Sequence, residues 1–229
     1  MQRLAKEKLV GAGQGQTPAL LADMRFRQLL GQRGWDALPG RVQRRFGKRL
    51  GVGDTASYVG HVEFCRMNWS GRILAQACRL IGAPLPLERD SGVAANVSVT
   101  EDGASGGQVW TRMYARKRGF PQVIHSAKRF AGPTGLEEYL GRGFGIALRV
   151  SAIDGGIRFV SDHYFLEVFG RHLRLPRWAA PGELIIDHID QGEGEFTFAL
   201  SLNHSVLGEV MHQLCRFRDQ PQMLEGKAQ

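Results

Sequence analysis

Cysteine is scarce: the 229 residues hold three, Cys65, Cys78 and Cys215, an odd number with no C-x-x-C pair. That spacing excludes a disulfide framework and a cysteine-held zinc site, and the three thiols read as small buried hydrophobes. Long apolar runs are also missing, none approaching the roughly 20 residues that a membrane-spanning helix needs. The opening stretch Met1–Lys8 has charge but no apolar segment behind it of the kind a secretory signal carries, so a cytoplasmic location is expected. No G-x-S-x-G elbow is present to present a nucleophilic serine. Gly11, Gly13 and Gly15 imitate the start of a dinucleotide fingerprint, but position 16 is Gln and no second strand with an acidic residue follows. The histidines, His61, His125, His163, His172, His188, His204 and His212, form no H-x-H or H-x-x-x-H pair. Neither a metal nor an organic cofactor is expected from these spacings.

What remains is ordinary globular material, 43% apolar and 23% charged, with an excess of basic residues, 30 against 22 acidic, for a net charge of +8. Most of the basic residues are arginine, which suits carboxylate, phosphate or anionic surface partners. They concentrate in Arg41–Arg49, Arg112–Arg118 and Arg171–Arg177. Arg41, Arg44 and Arg45 are the candidates for an anionic surface such as a membrane. Nucleic acid is not expected, because none of the three clusters contains an RNP strand or a G-x-x-G loop.

Along the chain, residues 1–18 end in a small-residue stretch, Gly11–Pro18, and read as a flexible leader. Between Pro18 and Leu50 the apolar residues Leu20, Leu21, Met24, Phe26, Leu29 and Leu30 recur at helical steps, punctuated by Gly31 and Gly34. A second helix is expected from Pro39, carrying Val42, Phe46 and Leu50 on one stripe. Tyr58–Arg66 reads as an extended piece. A third helix is expected over Ser70–Ile81, with Ser70 as N-cap. After residue 91 the apolar period changes to two, as in Val93, Ala95, Val97 and Val99, and roughly seven to nine short strands follow, separated by Gly, Pro and Asp turns. Alternation puts Phe196, Phe198, Leu200 and Leu202, and likewise Ile146, Leu148 and Val150, on an apolar inner face. A meander of this length curls, because twist and open edges disfavour a flat sheet. The expected fold is α+β: N-terminal helices packed on a strongly curved antiparallel meander, a half-barrel or incomplete barrel, in a single domain over 19–218. Residues 219–229 are expected to form a disordered tail.

The segments Gln108–Tyr114 (QVWTRMY), Gly143-Phe144, Asp154–Ile157 (DGGI), Leu175–Pro181 (LPRWAAP) and Leu207-Gly208 resemble the bacterial domain family DUF4166. Trp35–Pro39, Arg44–Phe46 and Gly71–Pro84 are similar to its opening helices. The resemblance covers about residues 26–217, and the curled meander expected there is lipocalin-like or START-like in general shape. The resemblance implies an accessory role, since such domains stand alone or follow epimerase-like and saccharopine-dehydrogenase-like reductases, so a reductase-type partner is expected by analogy. The chain departs from that pattern at Phe46, where the family has His, and at Gln213, where it has Tyr.

Two constellations carry candidate chemistry. Trp110, Arg112 and Tyr114 alternate on one strand face, an aromatic, guanidinium, aromatic row suited to the headgroup of an anionic amphiphile. For acid/base catalysis the candidates are Glu138, Asp187 and His188, with Glu137, Asp162 and Glu167 as further carboxylates; of the adjacent pair Glu137-Glu138 only one can face inward. Trp178, between Pro176 and Pro181, is expected to plug one end of the sheet. Together these point to a non-enzymatic binding or accessory module for a hydrophobic or amphipathic small molecule held in the sheet's concavity. The alternatives are an enzyme using a buried carboxylate/His pair in the same cavity, or a basic peripheral binder of membrane or nucleic acid.

Overall fold

A computed structural model describes residues 24–51, 54–82 and 84–219. The leader over 1–18, the pair Leu20 and Leu21, and the tail from 220 onward lie outside the described residues. Asp219, placed in the tail by its sequence context, instead ends the last strand.

Helix α1 (Arg25–Asp36) is interrupted at Gly31, whose φ of 68° lets the chain kink where a side chain would be strained. Helix α2 (Gly40–Phe46) starts after Pro39 and is shorter than its apolar stripe, because the chain leaves the helix at Gly47 and Leu50 lies beyond it. Strand β1 (Thr55–Met67) precedes helix α3 (Trp69–Cys78). The N-cap of α3 is Asn68 rather than Ser70: Asn68 Oδ1 accepts from the Gly71 N–H at 2.8 Å and from Ser70 Oγ at 2.7 Å. A 3-10 turn, Arg79–Ile81, ends this segment. The remaining strands are β2 (Ala94–Asp102), β3 (Gly107–Tyr114), β4 (Gln122–Arg129), β5 (Glu137–Gly141), β6 (Phe144–Ile153), β7 (Gly156–Val168), β8 (Arg171–Arg174), β9 (Glu183–Gly192), β10 (Glu195–His204) and β11 (Gly208–Asp219).

All pairings are antiparallel, and the sheet closes. The half-barrel expectation is therefore corrected: ten strands form a complete barrel, with β8 folded back on the upper part of β7. The extended piece read at Tyr58–Arg66 is β1, and its pairing closes the ring: it pairs with β2 on one side and with β11 on the other, joining the first and last strands of the meander. On the opposite wall β7 pairs with β6 along its length and with β9 over Gly156–Val160. Closure satisfies both sheet edges, which an incomplete barrel leaves exposed.

The period-two pattern then sorts side chains into lumen and wall. Phe196, Ile146 and Leu148 face inward and are buried, whereas Arg158 with Asp187 and Arg149 with Asp162 pair on the outside. The two ends differ. At the lower end Phe26 of α1 and Phe46 of α2 enter the barrel, meeting each other edge to face at 5.0 Å and Phe159 at 6.1 and 6.0 Å. Burying rings of this size contributes roughly 2–3 kcal/mol apiece. Arg45 locks α2 in place: it donates to Asp219 at 2.7 Å and Asp190 at 3.0 Å and lies over the Phe196 ring.

At the upper end α3 and the segment after it cross the barrel mouth. Gly71 makes this possible, since a Cβ there would overlap the Val210 carbonyl and the Met67 side chain. Gly71→Ala is expected to push α3 off β11 and to cost about 1–3 kcal/mol, read as a lowered midpoint of urea unfolding.

Candidate functional site

A ten-stranded ring is wider than side chains alone fill, so space remains inside. Trp110 of β3 and Phe198 of β10, with ring centroids 6.1 Å apart, reach towards each other and divide the lumen. Above them lies a chamber of about 1000 Å³, its open mouth included. Its walls are mainly apolar, with Ile124, Leu140, Ile186 and Leu200 among them, and Leu74 and Cys78 of α3 lie at its top. Below the divide a second chamber of about 580 Å³, its opening included, is bounded by Phe26, Phe46, Tyr58, Phe196 and His188.

The row Trp110, Arg112 and Tyr114 faces the lumen, with Arg112 and Tyr114 in the upper chamber. Arg112 is held in a cluster that sequence reasoning did not assemble. Its Nη1 donates to Ser126 Oγ at 2.9 Å and its Nη2 to Glu138 Oε1 at 3.1 Å. Ser126 Oγ donates to the same oxygen at 2.6 Å, and Lys128 Nζ donates to Oε2 at 2.7 Å. Lys128 Nζ also lies 4.8 Å from the Trp110 ring centroid. Cross-strand register produces the contact: Lys128 sits opposite Glu138, and Ser126 opposite Trp110. The one sequence signal was a lysine at the even step of Ile124, Ser126 and Lys128, a strand whose both faces carry polar residues.

These charges are deeply buried, Glu138 at 3% and Lys128 at 2% exposure. Burial pushes the Glu138 carboxyl upward, but Lys128 and Arg112 outweigh it and hold the group down at about 2. Burial lowers Lys128 below its ordinary value, against the pull of Glu138. Glu138 is therefore an ion-paired carboxylate, unsuited to protonating a substrate near neutral pH. Its neighbour Glu137 points outward, where Tyr139 Oη donates to it at 3.1 Å.

The structure does not bring the proposed acid/base residues together. Glu138 lines the upper chamber, Asp187 is paired with Arg158 at 2.7 Å on the outer wall, and His188 lines the lower chamber. Asp187 and His188 are consecutive on β9, so they point to opposite faces. Burial, with the Arg45 charge adding to it, lowers His188 to about 3, and its Nδ1 has no hydrogen-bond partner. Burial also raises all three thiols, Cys65 to about 11 and Cys215 to about 12, which makes them poor nucleophiles. Among the described residues, no group of three or more His, Cys, Asp or Glu is placed to hold a metal ion.

Of the basic candidates, Arg44 is exposed and Arg41 half-buried, but Arg45 is consumed by Asp190 and Asp219 inside the fold. Trp178 does not plug the sheet: it is 84% exposed, because the turn Arg177–Ala179 lies on the rim rather than over the lumen.

A family model described as a domain of unknown function, DUF4166, matches residues 38–217. The chain belongs to the DUF4166 family. No curated protein matches it. In this DUF4166 domain the match spans α2, α3 and the barrel strands as far as Phe217 in β11, and α1 falls outside it. Phe46 and Gln213, where the resemblance led to an expectation of His and Tyr, line the lower and upper chambers respectively.

Glu138→Gln leaves Lys128 and Arg112 without their counter-charge and is expected to destabilise the fold by about 3–5 kcal/mol. Replacing the pair together, Lys128→Met with Glu138→Leu, should recover most of that loss in urea unfolding. His188 generates a separate acid effect. Its folded value lies below the ordinary 6.5, so the unfolded chain binds the extra proton and stability falls as pH drops from about 6.5 towards 3. The slope attributable to His188 is roughly 1 kcal/mol per pH unit. Urea midpoints compared at neutral and mildly acidic pH should fall less for His188→Phe than for the unmodified chain.

Proposed function

We propose that this DUF4166 barrel is a non-enzymatic binding module that holds an amphipathic small molecule in its upper chamber, with the ligand's anionic group on Arg112 and its apolar part along the walls. One observation carries the reading: Arg112 and Glu138 line an apolar chamber, and the buried Lys128 behind them pairs with the same carboxylate, so two cations share one counter-charge and one positive charge is left uncompensated in a low-dielectric interior. A buried excess charge is costly, and an anionic ligand group removes that cost. Arg112 is suited to receive it, because Ser126 and Glu138 fix its guanidinium through Nη1 and Nη2 and a guanidinium carries five N–H donors. The chamber's apolar lining suits the hydrocarbon part of such a ligand. Gln213, Tyr114 and Tyr164 also line the chamber and supply further polar groups. The enzymatic alternative draws no support from Glu138, Asp187 and His188, which occupy three different places.

The test pairs native mass spectrometry and organic extraction of freshly purified protein with calorimetric titration of dodecanoate and of dodecanol. A charge-assisted contact is worth roughly 2 kcal/mol, so dodecanoate should bind about thirtyfold more tightly than the alcohol. Arg112→Met should abolish that preference while retaining the alcohol's affinity. Equal binding of acid and alcohol to the unmodified protein, or binding of neither, would overturn the reading.

A further inference from the structure

Large apolar side chains left exposed on this barrel gather at its upper end. Trp69 and Ile73 lie on α3, Leu80 on the turn after it, Phe169 in the β7–β8 turn, Trp178 before β9, and Val206 in the β10–β11 turn. The segments that carry them are joined into one rim. Asn68 Nδ2 donates to the Leu207 carbonyl at 3.1 Å, seating the start of α3 beside the β10–β11 turn. On the other side of that turn Gly182 packs closely on the Asn203 carbonyl, which places the Trp178 segment there. The Leu175 N–H donates to the Tyr164 carbonyl at 2.8 Å and ties the same segment to β7. At the far end of the α3 segment Ile81 packs on Gly141, next to the β5–β6 turn.

This rim surrounds the chamber mouth. α3 illustrates the pattern: Leu74 and Cys78 face the chamber, while Trp69 and Ile73 face outward with exposures of 69% and 62%. A helix apolar on opposite faces needs an apolar neighbour on each. The barrel supplies one.

Charge identifies the second. Arg72, Arg79, Arg142, Arg171, Arg174 and Arg177 are exposed on the same segments and make no ion pair among the described residues. Of the exposed carboxylates nearby, Glu209 is paired with Arg66 and Glu88 with Arg116, and Glu183 makes no ion pair among the described residues. Tryptophan and leucine-type side chains interleaved with arginine are the composition that seats in the headgroup layer of an anionic bilayer. The side wall is different: Arg216 pairs there with Glu63 and Glu195, where a membrane-spanning barrel presents an apolar band. We propose that the upper end of the barrel docks on an anionic lipid surface, inserting Trp69 and Trp178 at the interface and setting the chamber mouth against the bilayer. Docking uses surface residues alone and stands apart from what the chamber holds.

The test uses the full 229-residue chain and vesicles of phosphatidylcholine alone or mixed in equal parts with phosphatidylglycerol. The chain is expected to co-sediment with the mixed vesicles, more weakly as salt rises, and brominated phosphatidylglycerol should quench its tryptophan emission. Trp69→Ala with Trp178→Ala should weaken association roughly tenfold or more and remove the quenching, since Trp35 and Trp110 are buried. Arg171→Glu with Arg177→Glu should weaken it at least fivefold on mixed vesicles only. Arg112→Met should sediment as the unmodified chain does, which separates docking from ligand binding. Failure to sediment with mixed vesicles, or sedimentation unchanged in both surface variants, would overturn the proposal. So would a dimer in analytical ultracentrifugation that the tryptophan variant dissociates, because a second copy would then cover this face.

Discussion

Ten strands paired around a ring leave no open edge, and they also enclose more width than their inward side chains fill. The chain meets that geometry differently at three levels. At the bottom, α1 and α2 insert Phe26 and Phe46, whose edge-to-face rings take up part of the space and leave the smaller chamber beside them. In the middle, Trp110 and Phe198 approach from opposite walls. At the top no side chain is large enough, and the space remains as a chamber beneath α3.

Charge inside such a lumen behaves according to its partners. Glu138 stays ionised because two cations and a hydroxyl saturate its oxygens, while His188, surrounded by Phe46, Phe196 and Phe198, is neutral. The two groups were equal candidates for proton transfer when read as residue types. Their surroundings make one an ion-paired anchor for Arg112 and Lys128 and the other a part of an aromatic cluster.

Arginine shows the same dependence on context. Arg45 stands in the densest basic run, yet it serves as an internal clamp between α2 and the ends of β9 and β11. Arg72 of α3, Arg79 just after it, Arg142 of the β5–β6 turn and the Arg171–Arg177 run lie far apart in the sequence and converge around one opening. Density along the chain was a poor guide to density on the surface, because strand ends distant in sequence share one rim.

Much of the wall was legible. Strict alternation over Phe196–Leu202 and Ile146–Val150 marks both strand and inner face, and the Gly, Pro and Asp turns separate most strands as found. The Trp110, Arg112 and Tyr114 row was visible as a common face for the same reason. Closure was not legible, since nothing local in Thr55–Met67 says that its partners are β2 and β11. Nor was the Arg112, Ser126, Lys128 and Glu138 cluster: on β4 both faces carry polar groups, so alternation leaves the inward one undecided, and the Lys128–Glu138 register depends on the loop between them. The cap at Asn68 rather than Ser70 turned on a two-residue shift that hydrophobic periodicity does not resolve. By itself the sequence determined the periods, the turns and the family, because backbone geometry and turn chemistry are local. Tertiary structure decided the closed ring, the packing of its two ends and the Arg112, Lys128 and Glu138 charge cluster, because pairing partners and desolvation arise only between segments far apart in the chain.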